Sequence, residues 1–159
     1  MRNSEKSATT FATLMVAQPF AQLIIDKIKD VENRSKNCKI RGMVALYASR
    51  SKASWRFEGM EEMGFTYDPD GLDYGKILGF VEIVSVIEPG KRSSYKGEWH
   101  HKGSYGICIS NVIKLKNPVS AKFPNGVINW GKLKGKALER CLEQLNPAQR
   151  KKLISSMEC

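Results

Sequence analysis

The chain has 159 residues and 17.9 kDa, with 42% apolar and 26% charged side chains, the size of one domain with enough apolar material for a single core. No apolar run approaches the roughly 20 residues of a membrane span, and Met1 to Ser7 has no apolar segment of a secretory signal behind it, so a cytoplasmic protein without a membrane partner is expected. Lys and Arg number 26 against 16 Asp and Glu, a net +10 spread along the chain, which points to a polyanion such as nucleic acid or, more blandly, to a solvated basic surface.

In chain order, residues 1–10 read as a flexible tail and 11–159 as one domain. Phe11 to Ala17 alternates loosely and carries Thr and Val, the pattern of a strand. Gln18-Pro19 then opens a helix, proline being favoured at a first helical position, where its missing N–H would lack a partner anyway. Phe20, Leu23, Ile24 and Ile28 fall on one face of that helix. Asp30 to Ser35 is expected to be extended, and Gly42 to Ala48 is a buried strand. A short helix is expected over Ser51 to Met63, then a loop rich in Gly, Asp and Pro from Gly64 to Gly75.

Ile77 to Ile87 is the strongest strand. Residues 88–103 read as a loop containing Lys91-Arg92 and Glu98-Trp99-His100-His101, and Tyr105 to Leu115 as another strand. Gly126 to Trp130 is a short strand or a turn. The end of the chain, about 134–159, is helical: Leu138, Leu142 and Leu145 form a stripe, and Asn146, Pro147 and Gln149 have the spacing of a capping box. Many strands with few helices give an α+β class, a small, partly closed mixed β-barrel surrounded by α-helices. Cys38, Cys108, Cys141 and Cys159 lie far apart with no C-x-x-C pair, so free thiols are expected, without a zinc site.

The stretch richest in chemistry is Lys29-Asp30-Val31-Glu32-Asn33-Arg34. In an extended chain Asp30, Glu32 and Arg34 point one way and Val31 and Asn33 the other; Lys29, at the helix end, curls toward the mouth that Glu32 faces. A carboxylate between two cations suits a phosphate or a polarised carbonyl, the cations stabilising negative charge and Glu32 accepting a proton. An ordinary surface salt-bridge ladder, worth at most about 1 kcal/mol, has the same spacing.

Gln18-Pro19-Phe20-Ala21, the Lys29-x-x-Glu32-x-Arg34 spacing, Leu46-Tyr47-Ala48-Ser49, Gly79-Phe80-Val81-Glu82-Ile83 and Tyr105-Gly106-Ile107 follow in an order that resembles the ASCH domain. That family belongs to the PUA-like superfamily of RNA-associated β-barrels. The resemblance runs from about Phe11 to about Trp130 and departs at one position: the pattern is G-x-K-x-x-E-x-R, and Lys27 stands at its glycine, which would allow a tight helix end. The resemblance implies RNA bound in a cleft beside the barrel, with Lys29, Glu32 and Arg34 in that cleft. It also implies two activities: some members resemble ribonucleases, and shorter relatives remove the acetyl group of N4-acetylcytidine with a Lys and a Thr. Glu32 stands at the position of that Thr, which disfavours the amidohydrolase.

Tyr47, Ser49, Arg50, Ser51 and Lys52 end the central strand and enter the next loop. There Tyr47 stacks or donates a hydrogen bond and Lys52 holds a phosphate, or else the ring enters the core and the cations face water. Trp55, Tyr95, Trp99 and Tyr105 lie near Arg56, Lys96 and Lys102, a composition that stacks single-stranded bases; one is expected to touch a base and the others to pack. Glu82, inside an apolar strand, is a second candidate acid, because a PUA-like barrel puts this strand beside the cleft; the alternative is the strand's solvent face. His100 and His101 point to opposite faces of an extended chain and form a poor chelating pair, while one of them is a candidate proton carrier for RNA cleavage.

The expectation is an RNA-binding ASCH protein, a ribonuclease acting on flexible or single-stranded RNA. Lys29, Glu32, Tyr47 and Lys52 are its catalytic candidates, and Arg34, Ser49, Arg50, Trp55, Glu82, Trp99 and Tyr105 its binding candidates. Non-catalytic binding of RNA or a modified nucleotide is the alternative, and the N4-acetylcytidine amidohydrolase a more distant one. No cofactor and no protein partner are expected, and the divalent-metal requirement stays open.

Overall fold

The strand Gly42–Ala48 alternates its side chains between two apolar clusters. Met43, Ala45 and Tyr47 enter one, and Val44, Leu46 and Ala48 the other, as period-two geometry requires of a strand covered on both faces. The structure, a computed structural model, describes residues 10–124 and 129–157. Around that strand, β3, stand β1 (Phe11–Val16), β2 (Val31–Arg34), β4 (Lys76–Ile87), β5 (Tyr105–Ser120) and β6 (Trp130–Leu133). Four helices complete the described residues: α1 (Phe20–Ile25), α2 (Ser54–Glu62), α3 (Gly135–Glu143) and α4 (Pro147–Met157). The class is α+β, with one six-stranded mixed sheet in the order β2-β5-β4-β3-β1-β6.

Strand β1 is parallel to β3, and the other pairings are antiparallel. Helix α1 packs Ala21, Ile24 and Ile25 onto one face of the sheet. Helices α3 and α4 pack Leu138, Cys141 and Leu153 onto the other. The start of α4 carries the expected capping box: Asn146 Oδ1 accepts from Gln149 N–H at 2.8 Å, and Gln149 Oε1 from Asn146 N–H at 3.0 Å.

The expected barrel is corrected. The ladder runs from edge β2 to edge β6 without closing. Register shifts along β4 and β5 at Ile77/Gly79, Phe80/Glu82 and Ile83/Ser85 bend the two longest strands. The sheet therefore curls until Arg34 on β2 bonds Met15 O on β1, so a side chain spans the seam where a closed barrel would have a ladder.

Strand β5 also continues past the expected Leu115 to Ser120. Its pairing with β2 ends at Cys108, which leaves an edge where the missing N–H of Pro118 breaks no second ladder. The short strand expected over Gly126 to Trp130 begins at Trp130 instead, with 126–128 outside the described residues. The proposed tail, save Thr10, and Cys159 also lie outside them; Cys38, Cys108 and Cys141 are free thiols. Among the described residues no helix is long and apolar enough to cross a membrane.

Candidate functional site

The way α1 ends positions Lys29. Lys27 adopts a left-handed backbone with φ of 64°. Its N–H bonds Ile24 O at 3.0 Å and that of Ile28 bonds Leu23 O at 2.9 Å, the bond pair of a Schellman helix end. Lysine thus holds a conformation that glycine adopts most readily. Because the helix stops at Ile25, Ile28 leaves the expected buried face and is 40% exposed.

Lys29 then turns inward. Its Nζ donates to Val31 O at 2.6 Å and lies 3.7 Å from Glu32 Oε1; Glu32 Oε2 lies 3.0 Å from Arg34 Nη2. Lys29 and Glu32 are 5% and 8% exposed, so the cluster is a buried network and not a surface ladder. The Lys29 ammonium sits 5.5 Å from the Phe20 ring centroid and 5.1 Å from that of Trp99. Burial pushes its pKa below the ordinary lysine value, and the Glu32 carboxylate opposes that shift.

Lys29 and Glu32 form the floor of a cleft of about 380 Å³, within the range of small-molecule sites. Helix α2 contributes Trp55, Arg56 and Met60, and the 88–104 loop contributes Glu98, Trp99 and His101. Trp55 is 66% exposed. The Arg56 guanidinium is buried and anchors α2, with Nε donating to Gln18 O and Nη2 to Ser51 O, both at 2.9 Å. Asn33 holds the loop: its Nδ2 donates to Trp99 O at 2.7 Å, and its Oδ1 accepts from His101 N–H at 2.9 Å. Tyr95 adds a latch, its hydroxyl donating to Asp30 Oδ1 at 2.6 Å and accepting from Trp99 N–H at 3.2 Å.

Of the catalytic candidates, the fold brings Lys29 and Glu32 together and directs the others elsewhere. Tyr47 lies on the side of β3 that faces α3 and α4; its ring packs edge-on against Phe123 at 4.7 Å, and its hydroxyl is 3.5 Å from Ala121 O. Lys52 pairs with Asp70 at 3.7 Å and lies over the Tyr74 ring. Among the binding candidates, Trp55 and Trp99 line the cleft. Arg34 does not: its Nη1 bonds Asn129 Oδ1 at 2.8 Å and its Nη2 bonds Met15 O at 2.6 Å, so it spans the sheet seam.

Glu82 accepts from Asn111 Nδ2 at 2.6 Å and pairs with Lys152 of α4 at 3.9 Å, a surface role joining sheet and helix. Ser49 donates its backbone N–H to Val16 O, exposed Arg50 packs against Gly75, and Tyr105 pairs with Arg34 in the β2–β5 ladder; none of the three lines the cleft.

Sequence reasoning missed Asn33 as the loop clamp, together with Arg56, Phe20 and Met60 as cleft walls. The signal for Asn33 was its parity: it points away from Glu32 along β2, and an amide there matches both donors and acceptors of a neighbouring backbone. Among the described residues no group of three or more His, Cys, Asp or Glu side chains would hold a metal ion. No protein-family model matches the chain, and no curated protein matches it either.

Proposed function

We propose that the chain is an RNA-binding domain of the ASCH, PUA-like kind that takes one base of a single strand into the cleft walled by Trp55 and Trp99. One observation carries this reading. A tryptophan left 66% exposed borders, with a second tryptophan, a 380 Å³ cleft whose floor is a buried ammonium–carboxylate pair. An aromatic face stacks any base, and Glu32 and Lys29 supply an acceptor and a donor for the base edge. The left-handed backbone at Lys27 supports the family likeness, since the family's glycine serves that conformation.

Cleavage is a second reading, favoured by His101 lining the cleft with Lys29 and Glu32. In that reaction the 2′-oxygen attacks phosphorus, its proton passes to Glu32, and the departing 5′-oxygen takes a proton from His101. Tyr47, Lys52 and Arg34 do not line the cleft, which makes binding the first reading and cleavage the second. Photocrosslinking to a single-stranded RNA carrying photoreactive uridine tests the assignment, with crosslinks expected on peptides holding Trp55 and Trp99; crosslinks elsewhere alone reject it. End-labelled RNA incubated with wild type and Glu32→Gln separates the two readings: turnover by wild type only supports cleavage, and intact RNA with both supports binding.

A further inference from the structure

The segment 97–102 separates two cavities and shares its side chains between them. Glu98, Trp99 and His101 line the base cleft, while Gly97, His100 and Lys102 line a second cavity of about 420 Å³. Asn33 imposes the split: by gripping Trp99 O and His101 N–H it holds the backbone on both sides of residue 100, as a paired strand would. His100 and His101 therefore enter different cavities.

The second cavity has a different chemistry. Lys91, Arg92 and Ser93 border its other side, and among the described residues no carboxylate side chain lines it. Lys91 is paired with Glu88, but among the described residues the Arg92 and Lys102 side chains have no hydrogen-bond or ion-pair partner. His100 Nε2 is 2.9 Å from Ser104 O, which anchors the ring to its own loop. Two unpartnered cations and a serine hydroxyl around a polar hollow suit a phosphate monoanion.

We propose that this cavity is a phosphate subsite, holding the backbone phosphate next to the base that occupies the tryptophan cleft. Adjacency supports it. The two cavities flank one short segment, with Trp99 and His101 lining the cleft and His100 and Lys102 the second cavity. The ligand is then a phosphodiester-linked strand of two or more nucleotides, not a free base or nucleoside. This proposal rests on the RNA reading of the cleft.

The test measures binding of uridine, a uridine dinucleotide and a longer unstructured RNA by wild type and by Arg92→Ala/Lys102→Ala, with thermal unfolding as the folding control. Both residues are exposed, so the double variant keeps the wild-type melting temperature. It is expected to bind the dinucleotide and the longer RNA at least about tenfold more weakly. The slope of log affinity against log salt should also fall by about 0.7, since the subsite neutralises one phosphate of a single strand. Nucleoside affinity should stay within about twofold. A dinucleotide whose linkage is an uncharged methylphosphonate should bind wild type and variant alike. If the double variant binds charged RNA as wild type does, the phosphate subsite is wrong while the tryptophan cleft stands; if wild type binds no RNA, both fall.

Discussion

Lys27 carries backbone strain that a glycine would not. A left-handed conformation costs an ordinary L-residue roughly 1–2 kcal/mol, whereas glycine gives up about 0.5–1 kcal/mol through its freer unfolded chain. Lys27→Gly should therefore be as stable as wild type or up to about 1 kcal/mol more stable, and Lys27→Val less stable, when urea unfolding midpoints are compared. The buried pair is more sensitive. Glu32→Gln leaves Lys29 and Arg34 without their shared carboxylate and should cost about 3–5 kcal/mol. Lys29→Met should cost less, because it removes a buried charge, leaves Glu32 its Arg34 partner and keeps an unbranched chain under Phe20 and Trp99.

Tyr95 gives a pH signature. Its hydroxyl is pushed up from 10.0 to about 12, first by burial and then by its bond to Asp30. A group whose folded pKa is raised stabilises fully below its unfolded value and loses that contribution as pH rises through the folded one. The stability advantage of wild type over Tyr95→Phe should be full below pH 10 and shrink between pH 10 and about 12, as chemical unfolding across that range would show. An advantage that does not change over the window would contradict the latch.

Segment 97–102 is tied to β2 by one side chain, Asn33, beside the Tyr95 latch on Trp99. Asn33→Ala removes both bonds to its backbone, so the His101 amide should exchange its hydrogen faster and RNA affinity should fall while α3 and α4 keep their protection. An unchanged His101 exchange rate would show that the loop holds itself. Local signals made several elements legible beforehand: the apolar run of β3, that of β4, and the Asn146–Gln149 capping box are each written in a few adjacent residues. Other features depend on distant partners. The parity of β3 groups Tyr47 with Met43 and Ala45, yet nothing local says that this group faces α3 and α4 and not the cleft. Arg34 has the right spacing for a site with Lys29 and Glu32, but only the curl of the sheet, through bends in β4 and β5, brings Met15 O within its reach and makes it structural.

At the scale of the whole molecule, a net charge of +10 draws polyanions without selecting among them, and any RNA affinity from charge alone falls with salt. On the proposed reading, selection belongs to the cleft, where two tryptophans from separate elements border a buried ion pair. The C-terminal helices α3 and α4 complete the core opposite α1, and among the described residues none of theirs lines the cleft. The most direct test is a fluorescence-anisotropy titration of a labelled, unstructured RNA with wild type and Trp55→Ala at fixed salt. Trp55 is 66% exposed, so the variant should keep its melting temperature. Losing one base stack of about 1–3 kcal/mol should weaken binding about 5- to 150-fold. Equal affinity of the two proteins for that RNA would contradict the account.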